Sequence, residues 1–316
     1  MPDNDFHPRF EPVSPSSPDP MPVRVQSLGS GSAGNAFLIQ RGNRTLMVDC
    51  GVGIRTMQSE MRRLGTSPRT FDGLLITHEH GDHIRTLHRV MRPNLPVIAT
   101  EGTADMAGIP RAQLQPFKDE RPVEFAGFTI WPLRVRHDAI DPCGYLIEMP
   151  EARITILTDL GSWQEHLADP IAASDLVVLE ANHDEQMLWR GPYPAHLKRR
   201  VASPVGHLSN ETCGISLSRA MRDARAGTPI WLAHLSDTNN RPHVAETTVT
   251  AALHAGDVDF EVLALPRRAP GPVWVAPSGP ERGPREAFTP RPPVRGPEPG
   301  AQGDAEPKHF QRSLFD

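Results

Sequence analysis

The sequence predicts a layered α/β sandwich, and two observations carry that prediction. Short apolar runs rich in Val, Ile and Leu give way to segments of helical spacing, and this succession of sheet and helix occurs twice along the chain. Several apolar runs also end on histidine, aspartate or glutamate, so polar groups that are costly to bury gather where strands stop. The 316 residues allow one large domain or two small ones, with a substantial core.

Regular structure is expected from PVRVQSL (residues 22–28), a strand pattern, followed by the turn-rich GSGSAGN. AFLIQ, the turn RGNR and TLMVDCG complete a β-meander. IRTMQSEMRRLG has helical spacing and a terminal glycine. FDGLLITH is the next buried strand, LPVIATEG another, and TADMAGI a short helix. VEFAGFTIWPLRVRHD, CGYLIEM and RITILTDLG read as consecutive strands, and SDLVVLEANHD as one more. NETCGISLSRAMRDARAG is an amphipathic helix, capped by Ser209 or Asn210 and closed by Gly227. PIWLAHLSDTNN is a strand, VAETTVTAALHAG a helix and DFEVLAL a last strand. No short internal repeat is visible.

The ends differ in composition. Residues 1–21 are acidic and proline-rich, with no apolar core of a signal peptide, and read as a disordered lead-in. From Pro266 the chain turns to Pro, Gly, Arg and Glu. Residues 266–309 read as a disordered linker after a folded unit spanning 22–265. Residues 310–316 turn apolar again. The formal charge of −5 gives no general basic character, although a local basic groove can coexist with acidic tails. Cys50, Cys143 and Cys213 are dispersed and odd in number. That excludes a disulfide framework, suits small core residues, and points to a reducing cytoplasm. No apolar stretch approaches the length of a membrane span.

The densest chemistry is HEHGDH, with His78, His80, Asp82 and His83 directly after an apolar strand. On an extended chain His78 and His80 point the same way, so two imidazoles can grip one ion. Asp82 and His83, in a turn aided by Gly81, can approach a second. Nitrogen with carboxylate oxygen suits Zn²⁺ or Mn²⁺. A solvated loop is the plain alternative, and it accounts poorly for four such residues after a buried strand. His137, Asp159 and His234 end three further strand patterns. His88, His166, His196, His243 and His254 lack companions at useful spacing.

HxHxDH, then a lone His, then Asp in TDLG, then a late His resembles the metallo-β-lactamase superfamily over roughly residues 22–265. The resemblance implies a four-layer αββα sandwich and two divalent metal ions. It places His78, His80 and His137 on one ion, Asp82, His83 and His234 on the other, and Asp159 between them. Asp82 would also orient the attacking water. The lactam-cleaving members commonly carry Cys near the position of Asp159, so an aspartate points to the wider hydrolases, phosphodiesterases included. VVLEANHD and PVGHLSNETC resemble the segments of tRNA 3′-processing members in which a glutamate supports a leaving-group acid. These would be Glu180 and His207. The plain readings are a strand end and an N-cap.

SLGSGSAGN, RHDAIDPCGY, LEANHD, GHLSN and HLSDTNN together resemble the YycJ (WalJ) group, which implies a 5′-to-3′ double-stranded DNA exonuclease linked to mismatch repair. GSGSAGN would then be a tight loop near the site, or simply a β-turn. Asn182 and His183 would either contact phosphate or lie at the surface. In YPAHLKRR, Lys198, Arg199 and Arg200 would touch the phosphate backbone or form a solvated face. QRSLF near the C-terminus, with Gln311, Leu314 and Phe315, resembles the peptide by which bacterial repair proteins bind the sliding clamp. Arg312 departs from the usual Leu. An RNA processing nuclease, a small-molecule thioester or lactone hydrolase, and a metal-stabilised clamp-binding module without activity are the competing expectations.

Overall fold

The computed structural model describes residues 22–117, 121–277 and 287–289. Two seven-stranded sheets face each other. The first comprises β1 (Val23–Gly29), β2 (Ala36–Arg41), β3 (Arg44–Val48), β4 (Gly73–Leu75), β5 (Val97–Ala99), β6 (Leu114–Pro116) and, on its other edge, β14 (Val273–Val275). Its order is β14-β1-β2-β3-β4-β5-β6, antiparallel as far as β3 and parallel beyond. The second comprises β7 (Val123–Phe125), β8 (Phe128–Arg134), β9 (Cys143–Glu148), β10 (Arg153–Leu157), β11 (Leu176–Glu180), β12 (Ile230–Ala233) and β13 (Val262–Ala264). The pairs among β7, β8, β9 and β10 are antiparallel, whereas β10 to β13 are parallel.

Alternation along the strands sets the layers, because successive side chains face opposite sides of a sheet. Val25, Ile39, Leu46 and Val48 of the first sheet meet Tyr145, Ile147, Ile154 and Ile156 of the second in one buried core. Leu38, Met47 and Leu74 face the other way, onto Met57 and Met61 of α1 (Ile54–Arg63). Three short helices lie on the same half of the chain: α2 (Gly81–Ile84), α3 (Leu87–Val90) and α4 (Glu101–Met106). Leu146, Val177 and Leu179 face α5 (Ala168–Ala172), α8 (Asn210–Ala220) and α9 (Pro242–Ala255) through Ile171, Leu217 and Val249. Between β11 and α8 lie α6 (Glu185–Arg190) and α7 (Ala195–Val201). Helices outside two facing sheets make the expected four layers.

Local details refine the sequence reading. Ser209 caps α8 through a bond from the Thr212 amide at 3.2 Å, which decides between Ser209 and Asn210. The helix ends at Ala220, before Gly227. VEFAGFTIWPLR is a hairpin of two strands turning at Ala126–Gly127, not one strand, and both turn residues adopt positive φ. Packed structure also runs past residue 265, where composition places the end of the folded unit. Val273, Trp274 and Val275 pair with β1. Flanking prolines are compatible with an edge strand, where one face of the backbone needs no partner. Phe288 is buried against Trp131, with ring centroids 5.5 Å apart. The linker assignment therefore does not hold for residues 273–275, nor for Phe288. Residues 1–21 and the clamp-like residues 310–316 lie outside the described residues. Among the described residues no helix is long and apolar enough to cross a membrane.

Candidate active site

The ligand-type residues converge because β3, β4, β8, β10, β11 and β12 all deliver them at their C-terminal ends. Asp49 follows β3, His78 follows β4, His137 follows β8, Asp159 follows β10, Glu180 closes β11 and His234 follows β12. Asp49, Asp159 and His234 take positive φ of 58°, 57° and 54°. Asp and His tolerate this left-handed region better than most residues, yet it remains costly and is typical of functional sites. It turns the chain sharply out of each strand.

His78, His80 and His137 bring ligand atoms within 4.8 Å of one another, as do Asp82, His83 and His234. Asp159 lies between them, with Oδ2 3.0 Å from His83 Nε2 and Oδ1 3.3 Å from His234 Nδ1 and 3.6 Å from His137 Nε2. Asp82 Oδ2 is 3.2 Å from His234 Nε2. One buried atom of the cluster, His78 Nε2, has no hydrogen-bond partner. An orphan atom of this kind costs about 1–3 kcal/mol. It is an ordinary metal ligand, and the donor set of imidazole nitrogen and carboxylate oxygen fits Zn²⁺ or Mn²⁺. The residues present thus fit a pair of divalent ions.

The electrostatics follow from burial against charge. Burial pushes His78 well below its usual pKa, and its histidine neighbours add to this, so it is a neutral imidazole. Burial also opposes charge on His83 and His234, but Asp159, with Asp49 and Asp82 for the first and Asp82 and Glu180 for the second, carries both well above the ordinary value. Asp159 is held well below the carboxylate range, because His234 and His83 outweigh its burial.

His207 stands beside this cluster on the stretch between α7 and α8. Its Nδ1 is 2.9 Å from Glu180 Oε1 and 3.6 Å from Asp159 Oδ1. Glu180 is fully buried and also receives the amides of Leu160 and Leu208 at 2.7 and 3.0 Å. Burial alone would raise its pKa, but the His207 charge brings it down to about 2. Glu180 in turn overcomes the burial of His207 and raises its pKa.

Several supporting residues carry no motif. Asp49 accepts from the Thr77 amide at 2.9 Å and hydroxyl at 2.8 Å, and lies 2.7 Å from His83 Nδ1. A carboxylate on the outer nitrogen fixes which nitrogen a ligand histidine presents. Its signal was visible as the aspartate ending TLMVDCG, the same pattern that singles out Asp159. Asn35, at the end of GSGSAGN, donates to Asp82 Oδ2 at 3.3 Å and lies 3.1 Å from His83 Nε2. Its backbone amide meets the Asp82 carbonyl at 2.8 Å. Gly51 is packed so closely there that an added Cβ would lie 1.5 Å from the Asp82 carbonyl oxygen. Gly51→Ala must displace the Asp82 backbone. It is expected to cost about 3 kcal/mol or more, read as a drop in midpoint on denaturant unfolding together with lost metal binding.

The substrate-contact expectations fare unevenly. Asn182 is buried, and its side chain donates to the His234 carbonyl at 2.9 Å. It supports a ligand-type residue from within and faces no phosphate. The reason is that the chain stays buried through residues 181–183 after β11 ends at Glu180. His183 is likewise buried, which lowers its pKa to about 4. Lys198, Arg199 and Arg200 end α7. Lys198 Nζ bonds the Trp189 carbonyl at 2.7 Å, and Arg200 reaches Asp138, the neighbour of His137, at 2.7 Å. Arg199 is exposed.

Two facing mixed sheets with a histidine–carboxylate cluster at one end define a class, the metal-dependent hydrolases of the metallo-β-lactamase fold. The chain belongs to the β-lactamase superfamily: the model of that superfamily's domain matches residues 44–228. It is 31% identical over 239 residues to exodeoxyribonuclease YycJ of Bacillus anthracis, covering 74% of this chain and 90% of that protein. Similarity to ribonuclease Z of Bradyrhizobium diazoefficiens is 29% over 172 residues, covering 46% of this chain and 55% of the other. Among solved structures, the metallo-β-lactamase fold protein YhfI of Bacillus subtilis superposes with a TM-score of 0.61 at 18% identity. That match covers 81% of this chain and 99% of YhfI.

Proposed function

We propose that this chain is a two-metal phosphodiesterase, a 5′-to-3′ DNA exonuclease serving replication-linked or mismatch repair. The observation that carries the reading is the pair His207 and Glu180, 2.9 Å apart and adjoining Asp159. Breaking a phosphodiester requires a proton for a poor leaving oxygen, and this pair supplies one beside the ligand cluster. The exodeoxyribonuclease name of the relative that spans most of the chain favours DNA.

In this reading His78, His80 and His137 would hold one ion and Asp82, His83 and His234 the other, with Asp159 shared between the two sets. When bound, two such ions supply Lewis acidity, lowering the pKa of a coordinated water and neutralising phosphoryl charge. The chain's own residues do the rest. Asp49 and Thr77 hold His83 in one orientation, while Asn35 steadies Asp82, whose carboxylate orients the attacking water. Glu180 engages His207 at Nδ1, so Nε2 is the nitrogen left to protonate the leaving oxygen. The exposed Arg199 meets the phosphate backbone.

A panel of bis(p-nitrophenyl) phosphate, an acyl thioester and a lactone, offered to the Mn²⁺- or Zn²⁺-loaded protein, tests the reaction class. Hydrolysis of the phosphodiester is expected; turnover confined to the thioester or lactone contradicts the proposal.

The terminal QRSLF supports a tether to the bacterial sliding clamp. Leu314 and Phe315 would fill an apolar pocket and Gln311 would bond its rim, with linkage raising the local concentration at DNA to the order of mM. Deleting residues 310–316 is expected to abolish clamp binding in calorimetry while leaving hydrolysis of the small diester unchanged. Equal clamp affinity after deletion removes the tether.

A further inference from the structure

We infer a second anion subsite for a phosphate of the substrate strand, distinct from the ligand cluster. It is a cavity of about 180 Å³ lined by Gly34, Val52, Thr56, Arg85, Arg267 and Arg268. The inference rests on the phosphodiesterase reading for its ligand, and on the following geometry for its place.

Three guanidinium groups reach this cavity from segments far apart in sequence. Arg85 directly follows α2, the turn that carries Asp82 and His83, and bonds the Ala33 carbonyl. Arg267 and Arg268 come from the stretch just before β14. Asp237 pairs with both, at 3.1 Å from Arg267 Nε and in direct contact with Arg268, and Arg267 also bonds the Ser236 carbonyl. One carboxylate against three guanidinium groups leaves a positive surplus. These internal bonds also hold Arg85 and Arg267 in place, which lowers the entropy of gripping an anion. Arginine suits phosphate because its planar fork can donate two parallel bonds to the oxygens.

Only one loop separates the cavity from the cluster. Gly34 lines the cavity, and the next residue, Asn35, touches Asp82 and lies against His83. Ser30, in the same loop, accepts from the His234 amide at 3.0 Å and donates its own amide to the Pro266 carbonyl, next to Arg267, at 3.2 Å. A strand held at the cluster carries further phosphates beyond the reacting one, and we place one of these against the shared loop. The cavity has room for a phosphoryl group together with bound water. A terminal 5′-phosphate and an internal diester offer the same oxygens.

The test uses full-length protein with Arg267→Ala/Arg268→Ala, Arg85→Ala and the single Arg268→Glu. The last alters a side chain that is 71% exposed and so leaves folding intact. Binding is read by anisotropy on a phosphorothioate-linked duplex that resists cleavage, with either a 5′-phosphate or a 5′-hydroxyl. Each variant is expected to weaken binding of the phosphorylated duplex about tenfold or more and to flatten its salt dependence, with KM for bis(p-nitrophenyl) phosphate unchanged. Loss confined to the phosphorylated duplex assigns the terminal phosphate; equal loss on both assigns an internal diester. Wild-type affinity in Arg268→Glu and in the double variant overturns the subsite. Failure of the wild type to cleave any diester overturns the phosphodiesterase reading instead, since the binding arm needs no turnover.

Discussion

Asp159→Ala is expected to abolish hydrolysis, lowering kcat/KM by at least about 10³-fold, several kcal/mol of transition-state stabilisation. The carboxylate is 3.0 Å from His83, 3.3 Å from His234 and 3.6 Å from both His137 and His207. Its two oxygens thus reach residues of both proposed ligand sets. Elemental analysis of the purified variant should show fewer than the two ions per chain expected of the wild type. Full activity with two ions retained in the alanine variant would show that Asp159 bridges nothing.

His207→Ala is the second large effect, and it separates proton delivery from metal binding. Removing a general acid costs about 10²–10⁴-fold in rate. The loss is expected in kcat on DNA, whose leaving oxygen is basic. It should shrink with a p-nitrophenyl leaving group, which departs without a proton. Metal content should stay at the wild-type level. Glu180 is ionised across the working range, its pKa lying near 2, and its charge raises that of His207. The acid form of His207 therefore persists to higher pH than in an ordinary histidine, and activity is expected to fall as pH rises through the raised value. Glu180→Gln removes the charge that raises it, so the alkaline limb of the pH–rate profile should move to lower pH. A limb that stays in place, or an equal loss on both kinds of leaving group, would exclude His207 as the acid.

The site was legible in the sequence where a strand end carries its own marker. HEHGDH is local, and His137, Asp159, Glu180 and His234 each close an apolar run, so period and position sufficed to pick them out. Asp49 has the same marker yet belongs to no motif, and its task, holding His83 from behind, exists only once β3 and β4 lie side by side. Asn35 was legible only as a turn residue, because its contacts with Asp82 and His83 span nearly fifty positions. Asn182 shows the opposite error. A polar residue after a strand reads equally as a phosphate contact or a surface residue, and its bond to the His234 carbonyl makes it a buried support instead. Tertiary pairing also overrode composition at β14. Three apolar residues in a Pro- and Gly-rich stretch are too few to predict a strand, but the open edge of β1 gives them a partner. The arginine cavity was hidden for the same reason, since Arg267 and Arg268 lie just before that strand.

The most direct test of the account is a nuclease assay on the pure full-length protein with Mn²⁺ or Zn²⁺. The substrates are a 5′-phosphorylated duplex DNA, labelled at one end or the other, and a matched RNA, with Asp82→Ala run alongside. Stepwise shortening of DNA from its 5′ end, absent in the variant, is the expected result. Cleavage of RNA alone, or DNA loss that persists in Asp82→Ala, would contradict it.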